Sequence, residues 1–281
     1  MMIARALASA LLSATLIAGA AVSAEAKDWK SVTVVTEGAY EPWNLTNSDG
    51  TVGGFEPELL KDLCGRMKIE CKVVTSDFDS AIPSLVAGKY DVIMDALSIT
   101  DDRKKVIAFT DPYAATPAVF VADKTGPLAK APGTDTTIKL DTDARTPTMD
   151  DLRKAFKGKT IGIQSATVYS TFVTNNFKDV ATIREYKTSP EHDLDLAAGR
   201  IDLAFDDATY FTAAFAKAEN KDLGYTGPQI GGLVWGPGEA FGIRQGDADL
   251  VAMFNKAIAE AKQDGTIQKL SMKWFKLNVV P

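Results

Sequence analysis

The chain has 281 residues, of which 31 are basic and 37 acidic, giving a formal net charge of −6 at pH 7. The charges are spread along the chain and form no basic cluster that would neutralise phosphates, so we expect no nucleic-acid partner. One histidine and two cysteines are too few for most nucleophile–histidine–acid sites and for a structural zinc site. We therefore expect no catalytic residues, no metal and no cofactor, and we expect His192, flanked by Glu191 and Asp193, to be a solvated helix residue.

The N-terminal segment predicts a secretory signal peptide. Arg5 precedes an apolar run over residues 6–22, and small residues after it offer cleavage following Ala24 or Ala26. The run is about 17 residues of mostly Ala, Leu and Ser, at the lower limit for crossing a bilayer, so a retained membrane anchor is the less favoured alternative. We expect residues 1–24 to be removed and the mature chain to reside in the periplasm.

The first part of the mature chain alternates strand and helix patterns. Residues 32–35 are a β-branched run that predicts a buried strand, and an aromatic loop follows at 40–43. Residues 55–63 combine a first-turn proline, acidic neighbours and the apolar spacing of an amphipathic helix. Cys64 would lie in the last turns of this helix and Cys71 at the start of the next strand. In an oxidising compartment we expect these two cysteines to form a disulfide.

A repeated pattern indicates two lobes of similar design. Residues 85–92 (LVAGKYDV) recur as residues 196–203 (LAAGRIDL), and both predict a helix, a glycine cap and a strand. Each copy is followed at the same offset by an acid, Asp95 in the first and Asp206 in the second. We predict an α/β fold with two lobes, each a central, mostly parallel sheet flanked by helices, with ligand groups beyond the carboxyl ends of the strands. Chance similarity of a short pattern is the alternative.

The remaining segments suggest how the lobes are connected. Residues 124–148 are rich in Pro, Gly, Thr, Asp and Lys without a convincing period, and they predict an exposed excursion. Residues 241–244 predict a late strand and 248–262 an amphipathic helix, so the chain returns to the first lobe and the two crossings can act as a hinge. The expected boundaries are 27–116 with 232–281 for lobe 1 and 117–231 for lobe 2.

Several short motifs follow one another along the mature chain in a distinctive order. They are residues 36–43 (TEGAYEPW), 54–56 (GFE), 63–71 (LCGRMKIEC), 77–79 (DFD) with 82–85 (IPSL), 97–100 (LSIT) with Arg103, 108–109 (AF), 198–202 (AGRID) and 264–266 (DGT). Together they resemble the periplasmic solute-binding proteins for polar amino acids. Residues 37–38, the long excursion and the ending 271–276 (SMKWFK) are most similar to the octopine and nopaline binders.

The resemblance implies a function in solute uptake. It indicates the ligand-binding component of an ABC importer, which delivers its ligand to an inner-membrane permease, and a chemoreceptor is a further expected partner. An opine, an amino acid with a keto-acid or sugar remnant on its nitrogen, is the leading ligand, and a basic or polar amino acid is the alternative. An exported enzyme on the same scaffold, such as a cyclohexadienyl dehydratase, is the main rival because fold alone does not decide function. A sensor domain is the third alternative, and it would need a following membrane span that we do not expect.

The resemblance also implies the contacts of the ligand carboxylate. Arg103 corresponds to the arginine that holds the ligand α-carboxylate, and a guanidinium suits this role because it offers two parallel donors and stays charged. Without the motif before it, Arg103 would be an ordinary surface arginine. Ser98 and backbone amides near Ala96 would add donors from lobe 1, and Thr167 and the amide of Val168 would add donors from lobe 2.

The ligand amine and stem have their own expected partners. Asp207 corresponds to the family carboxylate that accepts the ligand ammonium, although the octopine and nopaline binders look neutral there. Tyr40 and Phe78 correspond to aromatic walls around the ligand stem, and Trp43 either extends that surface or is a plain core residue. Because Arg103 and Asp207 would hold opposite charges of one ligand from different lobes, we expect the ligand to stabilise the closed state.

Acidic side chains are expected at the specificity end of the pocket. Glu37 and Asp95 would face this end from lobe 1, with Asp95 at the position where basic-amino-acid binders have a serine. They could pair with a guanidinium or ammonium, or accept hydrogen bonds from sugar hydroxyls. Gln164, Tyr169 and Asp206 would reach the same region from lobe 2. So many acids would repel a ligand with an acidic side chain, so free glutamate and aspartate should bind poorly.

Overall fold

The computed structural model describes residues 27–141 and 146–281, so the predicted signal peptide lies outside the described residues. The strands are β1 (Ser31–Thr36), β2 (Ala39–Tyr40), β3 (Asn44–Thr46), β4 (Val52–Gly53), β5 (Glu70–Thr75), β6 (Val92–Ile93), β7 (Ala108–Phe109), β8 (Ala118–Asp123), β9 (Thr137–Lys139), β10 (Thr160–Gln164), β11 (Thr182–Tyr186), β12 (Leu203–Asp207), β13 (Leu223–Gly231) and β14 (Gly242–Ile243). The helices are α1 (Phe55–Met67), α2 (Phe78–Val86), α3 (Asp101–Lys104), α4 (Pro147–Ala155), α5 (Val168–Phe177), α6 (Ser189–Ala197), α7 (Ala208–Ala214), α8 (Ala248–Gln263) and α9 (Thr266–Trp274). Within these ranges, no helix combines the length and hydropathy needed to traverse a bilayer.

The first sheet defines lobe 1 and has the strand order β5-β1-β6-β14-β7. β1 pairs in parallel with β5 and β6, whereas β14 runs antiparallel to β6 and β7. Helix α1 packs against α8 and α9, and the buried side chains between them include Leu59, Leu63, Phe254 and Ile258. The C-terminal part of the chain therefore returns to lobe 1, because the apolar faces of α1 and α8 cover each other.

The second sheet defines lobe 2 and has the order β11-β10-β12-β8-β13-β9. β10 is parallel to β11 and β12, whereas β8 is antiparallel to β12 and β13. The core of this lobe is rich in aromatic side chains, among them Phe120, Phe156, Phe172, Phe205 and Trp235. Each sheet is thus mixed rather than mostly parallel, and the predicted two-lobed α/β class is confirmed.

The repeated segments position the carboxyl ends of the strands as predicted. Gly88 follows α2 with a φ of 75° and Gly199 follows α6 with a φ of 67°, a left-handed conformation that glycine adopts without strain. The strands β6 and β12 that come next lie beside β1 and β10, respectively. The ends of these four strands face the space between the lobes, and this geometry creates the candidate site.

The chain passes between the two sheets twice, at residues 110–117 and at residues 232–241. The second crossing is tied to lobe 1 because Glu239 forms isolated β-bridges with Ser98 and Ala114. The bridges keep the two crossings side by side.

Two further predictions concern lobe 1 and the excursion. Cys64 and Cys71 form the predicted disulfide, which links α1 to β5 across a Cα–Cα distance of 6.3 Å. The prediction that residues 124–148 form an exposed excursion is wrong in part, because Leu128, Ala131 and Leu140 are buried and β9 pairs with β13. Apolar side chains spaced irregularly along a loop can still cover the edge of a sheet, and such spacing has no period to detect.

Candidate functional site

Ten residues from both lobes surround a cavity between the two sheets. They are Glu37, Tyr40, Phe78, Asp95, Ala96, Ser98, Arg103, Gln164, Thr167 and Val168. All ten belong to the set predicted from the sequence, and their contact with a ligand remains a prediction. The cavity volume is about 20 Å³, which is roughly the space of one water molecule. A ligand the size of an amino acid can therefore enter only if the lobes separate or side chains move.

The cavity lining includes two acidic side chains, Glu37 and Asp95, that form no ion pair within the described structure. Asp95 is 3% exposed, and its Oδ1 accepts from the amide of Glu37 and from Asn44 Nδ2, each at 3.1 Å. Its Oδ2 has no hydrogen-bond partner among the described residues. Glu37 Oε2 accepts a hydrogen bond of 2.7 Å from Gln164 Nε2 on the opposite lobe.

Burial is the main cause of the raised pKa values of Glu37 and Asp95. It raises the pKa of Glu37 to about 8, with a further contribution from the charge of Asp206. Burial and the neighbouring Glu37 and Glu56 together raise the pKa of Asp95 well above its usual range. A cation placed between these two carboxyl groups would supply the positive charge that they lack in the protein, and it would favour their ionised forms.

Arg103, in the short helix α3, lines the same cavity as Glu37 and Asp95. Its Nη1 donates to the carbonyl of Ser98 at 2.9 Å, and its Nη2 donates to the carbonyl of Ala166 on lobe 2 at 3.1 Å. The guanidinium lies over the ring of Phe78, 5.8 Å from its centroid. Burial lowers the pKa of Arg103 to about 10. An anion between the lobes would offset the desolvation of this guanidinium, which now bonds only neutral carbonyls.

Some of the neutral hydrogen-bond donors near Arg103 already donate to acceptors within the protein. Thr167 caps α5, donating to the carbonyl of Gln164 at 2.8 Å and accepting from the amide of Ser170 at 3.0 Å. The amide of Ala96 donates to Glu56 Oε1 at 2.7 Å, so it is not available for the carboxylate contact expected at that position. Ser98 is 5% exposed and lines the cavity directly.

Trp43 does not line the cavity, and the structure supports the core alternative for it. The side chain is fully buried, packs against Phe55 and Phe275, and donates from Nε1 to Thr209 Oγ1 at 3.0 Å. The aromatic surface of the site therefore consists of Tyr40 and Phe78.

Asp207 and Tyr169 lie behind the wall of the cavity. Asp207 caps α7, with Oδ1 accepting from the amides of Thr209 at 2.6 Å and Tyr210 at 3.2 Å. Its Oδ2 accepts from Tyr169 Oη at 3.4 Å and from Thr116 Oγ1. Burial raises the pKa of Asp207. A ligand ammonium would therefore have to approach a carboxylate that the protein already satisfies.

Asp206 also lies behind the wall, where it joins the two lobes. Its Oδ1 accepts from Tyr40 Oη at 2.5 Å, and its Oδ2 accepts from Ser189 Oγ and lies 3.2 Å from His192 Nε2. The ring of Tyr40 stacks on Tyr210 with a centroid distance of 4.9 Å. Asp206 therefore reaches the site through Tyr40 rather than directly.

The expected solvent exposure of His192 is wrong. The side chain is fully buried, and Nδ1 forms an ion pair with Asp193 Oδ1 at 3.1 Å without the alignment of a hydrogen bond. Although burial opposes the charged ring, Asp193 and Asp206 raise the pKa of His192 to about 9. Ser189, His192, Asp193 and Leu196 are the buried positions of one face of α6. Three of these four side chains are polar, so no apolar spacing in the sequence indicated this burial.

Glu56 is a supporting residue that sequence reasoning did not assign to the site. It is fully buried and accepts from Asn44 Nδ2 at 2.9 Å, from Tyr113 Oη and from the amide of Ala96. It thereby fixes the backbone that follows Asp95. Its place in the motif at residues 54–56 was the available indication.

The two lobes, the two crossings and the cavity between opposed strand ends define a two-lobed solute-binding protein. Residues 32–277 match the family model of the bacterial extracellular solute-binding proteins, family 3. The chain belongs to this family, and it is a binding protein rather than an enzyme. The resemblance inferred from the short motifs is thus confirmed.

The named relatives are binding proteins as well. The octopine-binding periplasmic protein of Rhizobium meliloti is 41% identical over 285 residues, covering 94% of this chain and 95% of that protein. The lysine/arginine/ornithine-binding periplasmic protein of Escherichia coli (strain K12) is 33% identical and covers 89% of each chain. A solved structure of an ancestral arginine-binding protein bound to arginine has a TM-score of 0.74 at 26% identity, covering 88% of this chain and 98% of that chain.

Proposed function

We propose that this protein is the periplasmic ligand-binding component of an ABC importer for an amino-acid-derived solute with a cationic arm. The observation that carries the proposal is the charge of the cavity lining, which combines the guanidinium of Arg103 with the unpartnered Oδ2 of Asp95. The ligand lies between lobe 1, residues 27–116 with 232–281, and lobe 2, residues 117–231.

The guanidinium of Arg103 and the carboxyl groups of Asp95 and Glu37 together assign an orientation to the ligand. The α-carboxylate lies against Arg103 and Ser98, and the stem lies between Tyr40 and Phe78. The cationic end lies at Asp95 and Glu37, where it takes the place that Gln164 Nε2 now occupies at Glu37 Oε2. This exchange lets a charged group enter without leaving a buried carboxylate unpartnered.

Closure follows from contacts made by both lobes. Arg103 and Asp95 belong to lobe 1, whereas Gln164 and Thr167 belong to lobe 2, so a ligand that contacts all four is bound most tightly when the lobes are closed. The crossings at residues 110–117 and 232–241 serve as the hinge. The membrane permease recognises the closed form, and a chemoreceptor recognises the same form.

An opine with a basic arm is the leading ligand, and free arginine, lysine or ornithine is the second choice. The relatives named for octopine and for lysine, arginine and ornithine support both options. The buried acids argue against glutamate and aspartate, because a third carboxylate beside Glu37 and Asp95 would be buried without a cationic partner.

The test is ligand identification on the purified mature protein. Native mass spectrometry should reveal a retained basic amino acid or opine, and a thermal-shift panel should show stabilisation by arginine, lysine, ornithine or octopine. Stabilisation by glutamate or aspartate alone would contradict the charge argument. Turnover of prephenate or arogenate would instead support the dehydratase alternative.

A further inference from the structure

A second cavity adjoins the first on its outer side, and we call it the outer chamber. It is lined by Thr100, Asp102, Arg103, Ala166, Thr167, Val168, Thr171, Phe172 and Val234, and its volume is about 230 Å³. Arg103, Thr167 and Val168 line both cavities. The two spaces are therefore neighbours that share one guanidinium.

Arg103 has the donors to serve both spaces. A guanidinium carries five N–H donors, and the two bonds to the carbonyls of Ser98 and Ala166 use two of them. The three remaining donors can serve two carboxylates along different edges of the planar group, one of them through a single hydrogen bond. Both of the existing acceptors are neutral, so neither balances the charge of the guanidinium.

The other walls of the outer chamber suit a small anionic group on a short alkyl stem. The Thr100 hydroxyl accepts from the amide of Arg103 and can donate to a ligand, whereas the hydroxyls of Thr167 and Thr171 already donate to the carbonyls of Gln164 and Thr167. Val168 is the first residue of the ten-residue helix α5. A helix N-terminus adds a favourable field for an anion beside the guanidinium.

The remaining lining residues are apolar or already paired. Phe172 and Val234 supply apolar surface. Asp102 is an acid in the lining, and its Oδ1 accepts from Lys105 Nζ at 2.6 Å, so its charge is balanced on the protein surface.

We propose that the outer chamber is a subsite for a second carboxylate, carried by a short alkyl group on the α-nitrogen of the ligand. This proposal rests on the proposed function, because it requires the α-carboxylate at Arg103 and the basic arm at Asp95. Because the α-nitrogen and the α-carboxylate are bonded to the same carbon, a short substituent on the nitrogen can reach the chamber that shares Arg103 with the first cavity. The ligand class is then an N-carboxyalkyl derivative of a basic amino acid.

The first test compares three ligands that differ only at the nitrogen. Calorimetry on the mature protein would measure L-arginine, N2-ethyl-L-arginine and octopine, which is N2-(1-carboxyethyl)-L-arginine. A charge-assisted contact in the outer chamber should make octopine bind about tenfold or more tightly than either of the others. Octopine binding no tighter than arginine would overturn the subsite while leaving the proposed function intact. Failure of every basic amino acid and opine to bind would overturn both.

The second test places a negative charge in the outer chamber. Thr171 is exposed on α5, so Thr171→Glu should fold normally and lower octopine affinity about tenfold or more by like-charge repulsion. Arginine should lose less affinity, because it brings no second carboxylate into the chamber and is affected only through the shared guanidinium of Arg103. The matched control is Thr174→Glu, in the same helix but outside the lining, which should change neither affinity. An equal loss for arginine and octopine in Thr171→Glu would overturn the assignment of this chamber to the second carboxylate.

Discussion

The phenolic hydroxyl of Tyr40 donates to Asp206 Oδ1 across the cleft at 2.5 Å and so joins lobe 1 to lobe 2. The same carboxylate is held from within lobe 2 by Ser189 and His192. The bond thus connects a cavity wall on lobe 1 to a buried charge network on lobe 2.

Tyr40→Phe should weaken the closed state while keeping the aromatic wall. The variant retains the stack on Tyr210 but leaves Asp206 without one buried donor, a loss of about 1–3 kcal/mol. Because only the closed form makes this bond, the loss should appear as weaker ligand affinity and a larger radius of gyration by X-ray scattering. Unchanged affinity and scattering in a folded variant would show that the bond does not support closure.

His192→Gln should lower the free energy of unfolding by about 3–5 kcal/mol, because it removes the positive charge between Asp193 and Asp206. The folded-state pKa of about 9 lies above the ordinary value of 6.5. The stabilisation by His192 is therefore full below pH 6.5 and is lost as the pH rises through 9.

Urea denaturation between pH 6 and pH 9.5 would measure this loss. Glu37 contributes in the same direction, since its folded-state pKa is raised from 4.5 to about 8, and Glu37→Gln separates the two contributions. A wild-type protein whose stability does not fall over this range would contradict the charged state of His192.

Binding of a cationic ligand should release protons near pH 7. A cation beside Glu37 and Asp95 favours their ionised forms, so the raised pKa of Glu37 falls on binding and affinity rises from pH 6 to pH 9. Calorimetry in phosphate and in Tris would detect the release as a buffer-dependent enthalpy. Glu37→Gln should reduce the effect, whereas Glu70→Gln at the exposed start of β5 should not. A buffer-independent enthalpy would argue against a cation at this end.

Arg103→Ala should weaken ligand binding by about 2–5 kcal/mol, because the ligand carboxylate loses its charge partner in a desolvated site. Arg103→Lys should recover part of the affinity, since an ammonium supplies charge without the paired donors. Lys104→Ala, at the neighbouring exposed position, is the matched control and should be nearly neutral. Unchanged affinity in a folded Arg103→Ala protein would remove this residue from the site.

The sequence by itself determined the local elements and the general position of the site. The apolar period predicted α1, and the repeated glycine caps predicted the ends of α2 and α6. The presence of only two cysteines in a chain expected to enter an oxidising compartment predicted their disulfide. Such features depend on residues close together in the chain, so a short window contains the necessary information. The cavity residues gathered as expected because strand ends in α/β sheets meet at one edge.

Only the tertiary structure decided which polar groups are buried and what they contact. It placed Trp43 in the core, engaged Asp207 as a helix cap, and buried His192 between two acids. It also created the outer chamber, whose lining comes from α3, α5 and the second crossing. These outcomes depend on which distant elements pack together, because burial and neighbouring charges set hydrogen bonding and pKa, and neither is encoded by residue type or local spacing.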